Sequence, residues 1–547
     1  MTPSFAASSI AELLLARAED DHPALLFGDR TWSWRDLATE ARRRAALLAA
    51  VRRPGPWHVG VLMDNDPEYL FLIAGAALSG ATVVGINPTR RGSELAADIA
   101  GTDCQVIVTR GEHRHLLEGL DVPDVLDADG SRYQSLLADA AASPATTTAP
   151  PGVEHTLLLL FTSGSTGAPK AVRCSSMRLA AIGQLNVHGL TREDVAYNAM
   201  PLFHGNALMA AWAPILVVGG TYAMRPRFSA SGFLPDVQRF GATFFNYVGR
   251  ALSYVLAQPE SPAECDNRLR FGFGTEASTR DREEFERRFD CRIIESYGSS
   301  EGVCTILRGP DTPPGALGRP DPSMGLEILG ASGEVCPVAD IAPDGRIRNA
   351  AEAIGEIVVR GGGARFEGYY RNPEAMAAKV RDGDFWTGDL AYRDADGNFW
   401  FAGRSSDWIR VDSENFAAAP IERILARHPA VATAVVYGVP DPRTGDEVMA
   451  ALLLSPGATL GTDELDGFLD AQPDLGTKWR PRLVRLVTDL PLTGTGKVDK
   501  HALRSEAWSG ADPLLVNDGG RYRPFTPEDR DAREAAFARH GRLALHP

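Results

Sequence analysis

Through the first half of the chain, short apolar runs such as HVGVLM, ATVVGI and QVIVTR alternate with longer stretches of helical periodicity. From about residue 35 to about residue 260 this alternation predicts βα units covering a largely parallel sheet. Parallel strands are buried on both faces, so they read as continuous apolar runs. The most apolar long stretch, Tyr69 to Ile86, is interrupted by Ser79, Gly80 and Thr82. It divides into a helix, YLFLIAGAAL, and a strand, ATVVGI, and so reads as a buried α/β unit rather than a membrane span. Leu157 to Phe161 reads as another buried strand, preceded by an Ala/Pro/Thr linker at residues 142 to 152.

After about residue 310 the pattern changes to short β segments punctuated by Gly/Asp turns: GEIVVRGGG, FWTGDLAYRDADGNFWFAGR and SSDWIRVDSENF. These predict a small β subdomain. IERILARHP then reads as a helix, TAVVYGVPDP and EVMAALLLSP as strands, and DELDGFLDAQ as a helix. The expected fold is α/β: a large N-terminal domain with parallel sheets and the β subdomain over residues 1–404, and a small α+β domain over 405–547. The boundary is expected near Gly403 to Asp407, with a tail from about residue 511 whose helix EDRDAREAAFARHG either docks or stays mobile.

Composition narrows the function. A chain of 547 residues calls for at least two domains with room for an enzyme cleft. The 71 acidic and 56 basic residues give a formal charge of −15, which opposes nonspecific binding to nucleic acid or anionic membranes. Anionic ligands therefore need local basic sites. The cysteines at 104, 174, 265, 291, 304 and 336 form no C-x-x-C pair, so neither a zinc site nor a disulfide framework is expected, and a reducing cytoplasm fits. His113 and His115 flank Arg114, but with no third ligand nearby in sequence they read as a surface loop, and no transition metal is assigned. The start of the sequence shows no basic region followed by an apolar core, so retention inside the cell is expected. Oligomeric state, monomer or homodimer, is left open.

The candidate chemistry begins at FTSGSTGAPK, Phe161 to Lys170. Gly164 and Gly167 permit close backbone approach, while Thr162, Ser163, Ser165 and Thr166 offer hydroxyls and N–H groups to an anion. A Gly/Ser/Thr cluster is ordinarily a solvated turn. Here a strand, spaced glycines, four hydroxyls and Lys170 coincide, which favours a polyphosphate. It is not the familiar P-loop: Lys170 follows Pro169, and Ala171 stands where a magnesium-binding hydroxyl is required.

FTSGSTGAPKAV, PLFHGNAL, YGSSEG, GEIVVRGGG with GYY, WTGDL, GRSSDWIRVDSEN and PLTGTGKVDK follow one another along the chain. In this set and order the sequence resembles the acyl-adenylate-forming superfamily of acyl-CoA synthetases, adenylation domains and luciferases. The run Phe244 to Ser261 and the tail RYRPFTPEDRD look like those of fatty-acid-transport-protein-like and very-long-chain acyl-CoA synthetases.

The resemblance implies ATP, Mg²⁺ and coenzyme A as small-molecule partners beside a carboxylic acid. Lys497 would be the catalytic lysine, acting where negative charge builds. Glu301, with Thr162, would hold magnesium. Ser163, Gly164, Ser165, Thr166, Gly167 and Lys170 would meet the phosphates, Ser300 the α-phosphate, and Tyr297 with Gly298 the adenine. Asp389, assisted by Arg404, would accept from the ribose hydroxyls. Gly272-Phe-Gly274-Thr-Glu-Ala277 superficially satisfies a dinucleotide fingerprint, a weak pattern alone. In the family, Gly272, Gly274, Thr275 and Glu276 line adenine and the acyl pocket, whose walls Asn246, Tyr247, Val248 and Gly249 would shape. His204 would be the gate between acyl group and thiol tunnel.

The family rotates its small domain between half-reactions about a hinge after Arg404, bringing Arg410, Ser413, Glu414 and Asn415 to the pantetheine tunnel. Three positions depart from the pattern: Ser406 at the hinge, Ser413 at a usual glycine, and Ser300 at a usual threonine. Ser413 matters most, since a Cβ can narrow the tunnel or forbid positive φ. The expected function is an acyl-CoA ligase that activates a hydrophobic acid through acyl-AMP. The alternatives are retention of one half-reaction only, and a catalytically dead nucleotide-binding regulator.

Overall fold

The computed structural model describes residues 8–142, 151–162, 170–186, 188–248, 251–275, 277, 279–309, 311–342, 347–404, 408–411, 414–442, 446–472, 475–476, 478–493, 497–540 and 542. The chain divides into two compact units. One comprises Met1–Thr305, Ala364–Ala378 and Gly494–Lys497, and the other Ile306–Gly363, Lys379–Thr493 and Val498–Pro547. The expected boundary at 404/405 falls against Ser405–Asp407, which lie outside the described residues.

The larger unit is built on two sheets. The six-stranded one runs Asp124–Asp127, Cys104–Thr109, His58–Leu62, Thr82–Gly85, Thr156–Thr162, Lys170–Ser175. Its pairs are parallel except the last, an antiparallel hairpin. Every residue of His58–Leu62 and Thr82–Gly85 is buried, as continuous apolar runs predict for a parallel sheet covered on both faces. The stretch Tyr69–Ile86 divides where its polar interruptions fall. Helix Pro67–Ser79 starts on Asp66, whose side chain accepts from the Glu68 N–H, carries Pro67 in its first turn, and stops at left-handed Gly80.

Seven strands of the second sheet run Arg30–Ser33, Pro23–Phe27, Thr221–Met224, Val195–Asn198, Phe244–Val248, Phe271–Thr275, Arg292–Gly298. All their pairings are parallel apart from the hairpin that opens the order. A large apolar core, from Ile10 to Ile293, and a separate smaller one that includes Leu62, Ile86, Ile107 and Leu159 lie in this unit.

In the other unit, an antiparallel sheet joins Leu326–Leu329, Gly355–Val359, Asp384–Arg393 and Phe399–Arg404. Trp408–Val411 pairs with Glu414–Ala417. The sheet Val431–Pro440, Asp446–Leu454, Leu483–Val487, Leu514–Asp518, Arg521–Pro524 follows. The tail therefore docks: it supplies the last two of those strands and helix Pro527–Arg539. Phe537 of that helix is fully buried against Trp508, and Arg533 pairs with Glu447.

Candidate functional site

Strand Thr156–Thr162 and strand Lys170–Ser175 bring Thr162 and Lys170 opposite each other at the ends of the glycine-rich loop. Ser163, Gly164, Ser165, Thr166 and Gly167 lie outside the described residues. A third segment closes on this hairpin, because Tyr369 bridges Val172. The Lys170 ammonium lies 5.5 Å from the centre of the Tyr369 ring, a cation–π distance. The Tyr369 hydroxyl donates to Glu301 Oε1 at 2.6 Å. Burial, and then the Glu301 charge, push the Tyr369 phenol well above its ordinary pKa, so it stays a neutral donor. Thr162, Lys170, Tyr369 and Glu301 thus form one chain of neighbours.

Glu301 sits in the turn that follows strand Arg292–Gly298, where the Gly302 N–H donates to the Ser299 carbonyl. Gly302 has φ +59°, and a Cβ there would stand 2.2 Å from the Arg178 guanidinium. That guanidinium, buried in the same unit, donates to the carbonyls of Ser300 and Arg173. At Gly302, glycine is favoured by the left-handed backbone. Glu367 completes the support, accepting from the Ser175 N–H at 2.7 Å and from its hydroxyl. Tyr297 ends the strand with 9% of its surface exposed, and Gly298 beside it is exposed.

His204 ends the loop 201–204, just before the helical segment that leads into the π-helix Ala207–Trp212. Gly85 allows that loop to descend onto the end of its strand, since a Cβ there would meet the Phe203 backbone at 3.0 Å. Asn65 ties the loop down, donating to the Met200 and Arg225 carbonyls at 3.0 and 3.1 Å and accepting from the Leu202 N–H at 2.8 Å. Lys497 belongs to the same compact unit. The His204 imidazole is lowered to about 4, first by burial and then by the Lys497 charge. It is therefore a neutral ring at neutral pH.

The strand Phe244–Val248 carries Asn246, Tyr247 and Val248, while Gly249 and Glu276 lie outside the described residues. Gly272 and Gly274 are inside strand Phe271–Thr275, which ends at Thr275, and not in a turn. A Cβ on Gly272 would strike the Phe245 ring at 2.4 Å, and one on Gly274 the Tyr247 carbonyl at 2.3 Å. The repeated glycines therefore make room for aromatic rings on the neighbouring strand, and the resemblance to a dinucleotide fingerprint is accidental. Tyr197, Phe228, Phe233, Phe245, Leu252 and Val255 help to line a small, narrow cleft beside these strands. Asn246, 3% exposed, donates to Asn206 at 2.7 Å.

In the other unit, Asp389 and Arg404 face each other across an antiparallel pair, as do Arg410 and Asn415, and Val411 and Glu414. The Gly388 N–H donates to Glu356 at 2.6 Å and the Asp389 N–H to the Thr387 hydroxyl at 3.1 Å, fixing the backbone on which Asp389 stands. Ser406 and Ser413 lie outside the described residues.

Sequence reasoning left Tyr369, Arg178 and Asn65 without roles. The GYY motif contained Tyr369, and its proximity to a glycine-bearing motif was a usable signal. Arg178 and Asn65 had none, because each acts on backbone carbonyls far away in the chain.

A hairpin flanking the hydroxyl-rich stretch, a carboxylate on a propped turn and a half-buried histidine that feels the Lys497 charge are thus carried by the parallel α/β sheets of one unit. The chain belongs to the AMP-binding enzymes: the AMP-binding enzyme family matches residues 15–370, and the AMP-binding enzyme C-terminal domain matches residues 420–497. It is 48% identical over 555 residues to the steroid-22-oyl-CoA synthetase of Rhodococcus jostii, covering 98% of each chain. It is 42% identical over 528 residues to the medium/long-chain-fatty-acid–CoA ligase of Mycobacterium tuberculosis, covering 94% of this chain and 99% of that one. The fold matches ATP-bound MatB from Rhodopseudomonas palustris with a TM-score of 0.78 at 26% identity, over 91% of this chain and 99% of that one.

The protein is an AMP-forming acid–thiol ligase. It joins a carboxylic acid to coenzyme A, using ATP and Mg²⁺, through an acyl-AMP intermediate. Among the described residues, no helix is long and apolar enough to cross a membrane.

Proposed function

We propose that the acid is large and apolar, of the steroid-side-chain or medium-to-long fatty class, and that Lys497 and Glu301 carry its activation. The names of the relatives at 48% and 42% identity support the substrate class. What supports the catalytic reading is that Lys497 falls in the same compact unit as Glu301 and His204, with its charge felt at the half-buried His204 ring. A cation at the loop where acid and phosphate would meet stabilises the charge that builds in the in-line displacement. Glu301 and the Thr162 hydroxyl fit Mg²⁺, which takes one or two protein oxygens and otherwise phosphate and water. Bound there, Mg²⁺ neutralises phosphate oxygens. His204, neutral and next to Lys497, separates the acid from the approach of the thiol without adding charge.

The remaining roles extend this reading. Ser163 to Gly167, Lys170 and Ser300 hold phosphates, Tyr297, Gly298, Gly274, Thr275 and Glu276 hold adenine, and Asp389 with Arg404 holds ribose. Gly272, Asn246, Tyr247, Val248 and Gly249 border the acyl group. Residues 405–547 act as the mobile domain, whose loop Arg410 to Asn415, with Ser413 and Glu414, lines the thiol tunnel. The enzyme works in the cytoplasm, a reading supported by six free cysteines.

The experiment is Lys497→Ala, assayed in both halves. Pyrophosphate release from acid and ATP is expected to fall by about 10²-fold or more, while thioester formation from supplied acyl-AMP and coenzyme A persists. An unchanged first half overturns the assignment. Across a series of straight-chain acids, kcat/KM should rise by roughly fourfold per buried methylene, from about 0.8 kcal/mol each. A preference for short polar acids would refute the substrate class.

A further inference from the structure

Strands His58–Leu62 and Cys104–Thr109 are parallel neighbours, so the segments that follow them emerge side by side at one edge of the sheet. The carboxyl edge is where open α/β sheets bind ligands. Asp64 follows the first strand, and Glu112 and His113, in the short helix Gly111–Arg114, follow the second. One oxygen from each carboxylate and one His113 nitrogen lie within 4.8 Å of one another. His113 is 6% exposed, and its Nε2 is buried without a hydrogen-bond partner. That nitrogen lies 3.3 Å from Asp64 Oδ2 and 3.7 Å from Glu112 Oε1.

These separations are informative. Two ligands at about 2.0–2.1 Å on a tetrahedral centre stand about 3.3–3.4 Å apart, whereas an N–H···O hydrogen bond prefers about 2.9–3.0 Å and a straight angle. The nitrogen and oxygen are thus set as two corners of a coordination shell rather than as donor and acceptor, and Glu112, 60% exposed on its side chain, can close the third corner by a small rotation. The other charges at this edge are accounted for. Arg110 is engaged by Asp66 and Asp129. Arg227 donates through Nε to Asp64 Oδ2, but its side chain is 65% exposed, an arm held by one surface ion pair of the kind worth about 0–1 kcal/mol.

We propose that Asp64, Glu112 and His113 bind a divalent transition cation of the zinc class, water completing the shell, with Arg227 as the group the cation displaces. Imidazole and carboxylate donors suit such an ion. This site uses none of the residues proposed to hold Mg²⁺, Thr162 and Glu301. Sequence could not reveal it: the ligands beside His113 are its own neighbour and an aspartate delivered by an adjacent strand, while His115 is no part of the group.

The test titrates Co²⁺, then competing Zn²⁺, into the untagged, metal-free full chain without ATP, following the visible d–d absorption. One equivalent should bind, with no thiolate-to-cobalt charge-transfer band, which sets the site apart from the free cysteines. His113→Ala should weaken binding at least about tenfold. Glu112→Ala, at an exposed position that leaves folding intact, should do the same while ligase activity with Mg²⁺ and ATP is kept. Arg227→Ala should tighten binding several-fold, because a competing cation is gone. Absence of stoichiometric uptake, uptake indifferent to Glu112→Ala, or weaker binding in Arg227→Ala would show the cluster to be an ordinary ion-pair group and overturn the proposal.

Discussion

Glu68 and Glu301 each accept a hydrogen bond from a buried tyrosine, Tyr133 and Tyr369 respectively, and both lie in the larger unit. Around Glu68 the carboxylate is also gripped by Arg44, which donates to both of its oxygens and reaches Glu40 as well. The Arg44 and Glu68 side chains are 6% and 7% exposed. Glu301 is half-buried, and the cation near its tyrosine, Lys170, lies over the ring rather than on the carboxylate. The same Tyr–Glu hydrogen bond therefore serves two ends. Covered by an arginine, the carboxylate ties the helix Trp34–Ala50 to the helix Pro67–Ser79. Partly open to solvent at a turn propped by Arg178, it would present a hard oxygen to the Mg²⁺ proposed there.

Breaking the covered site should give the largest effect. Arg44→Met leaves Glu68 as a buried charge without its guanidinium, a change that costs about 3–5 kcal/mol of stability. Chemical denaturation should show it, and lowering the pH should recover part of the loss, since protonation removes the orphaned charge. The folded fraction should keep its ligase activity. A melting point unmoved by Arg44→Met would mean that the pair contributes nothing and that the contrast is empty.

Glu301→Gln is expected to do the opposite. Stability should stay close to that of the parent, while acyl-AMP formation falls by about 10²–10³-fold, or about 3–4 kcal/mol, with a raised Mg²⁺ requirement. Pyrophosphate release measured over a Mg²⁺ series distinguishes this from a folding defect. A variant that adenylates at the parental rate would remove Glu301 from the site.

How far these sites could be read in advance follows from the range of the forces involved. The strand at Leu157 to Phe161 was legible, because its apolar residues are adjacent in the chain. The split of Tyr69–Ile86 was legible for the same reason, since Asp66, Pro67 and Gly80 are local punctuation. The packing need for Gly272 and Gly274 was not legible, because what they accommodate, Phe245 and Tyr247, stands on the next strand. Glu68 carried no mark of its role, since Arg44 and Tyr133 come from two other helices. The docking of the tail depended on Trp508 and Phe537 meeting in one apolar cluster. Periodicity and motifs record neighbours in the chain, and partner choice across elements is recorded only in the fold.

The smallest and sharpest test makes one change at both places. Tyr133→Phe removes the hydroxyl from Glu68 but leaves Arg44, so the cost should be a stability loss of about 1–2 kcal/mol with kcat and KM unchanged. Tyr369→Phe removes the Tyr369 hydroxyl from Glu301, which is only half-buried. Its melting point should move little, while acyl-AMP formation drops roughly fivefold to tenfold, about 1–1.4 kcal/mol. Because burial and the Glu301 charge hold the Tyr369 phenol protonated far above neutral pH, the ratio of parental to Tyr369→Phe rates should be flat from pH 6 to pH 9. A ratio that collapses in alkali would mean that the hydroxyl ionises there, and a Tyr369→Phe protein that merely melts earlier would place both tyrosines in the same structural role.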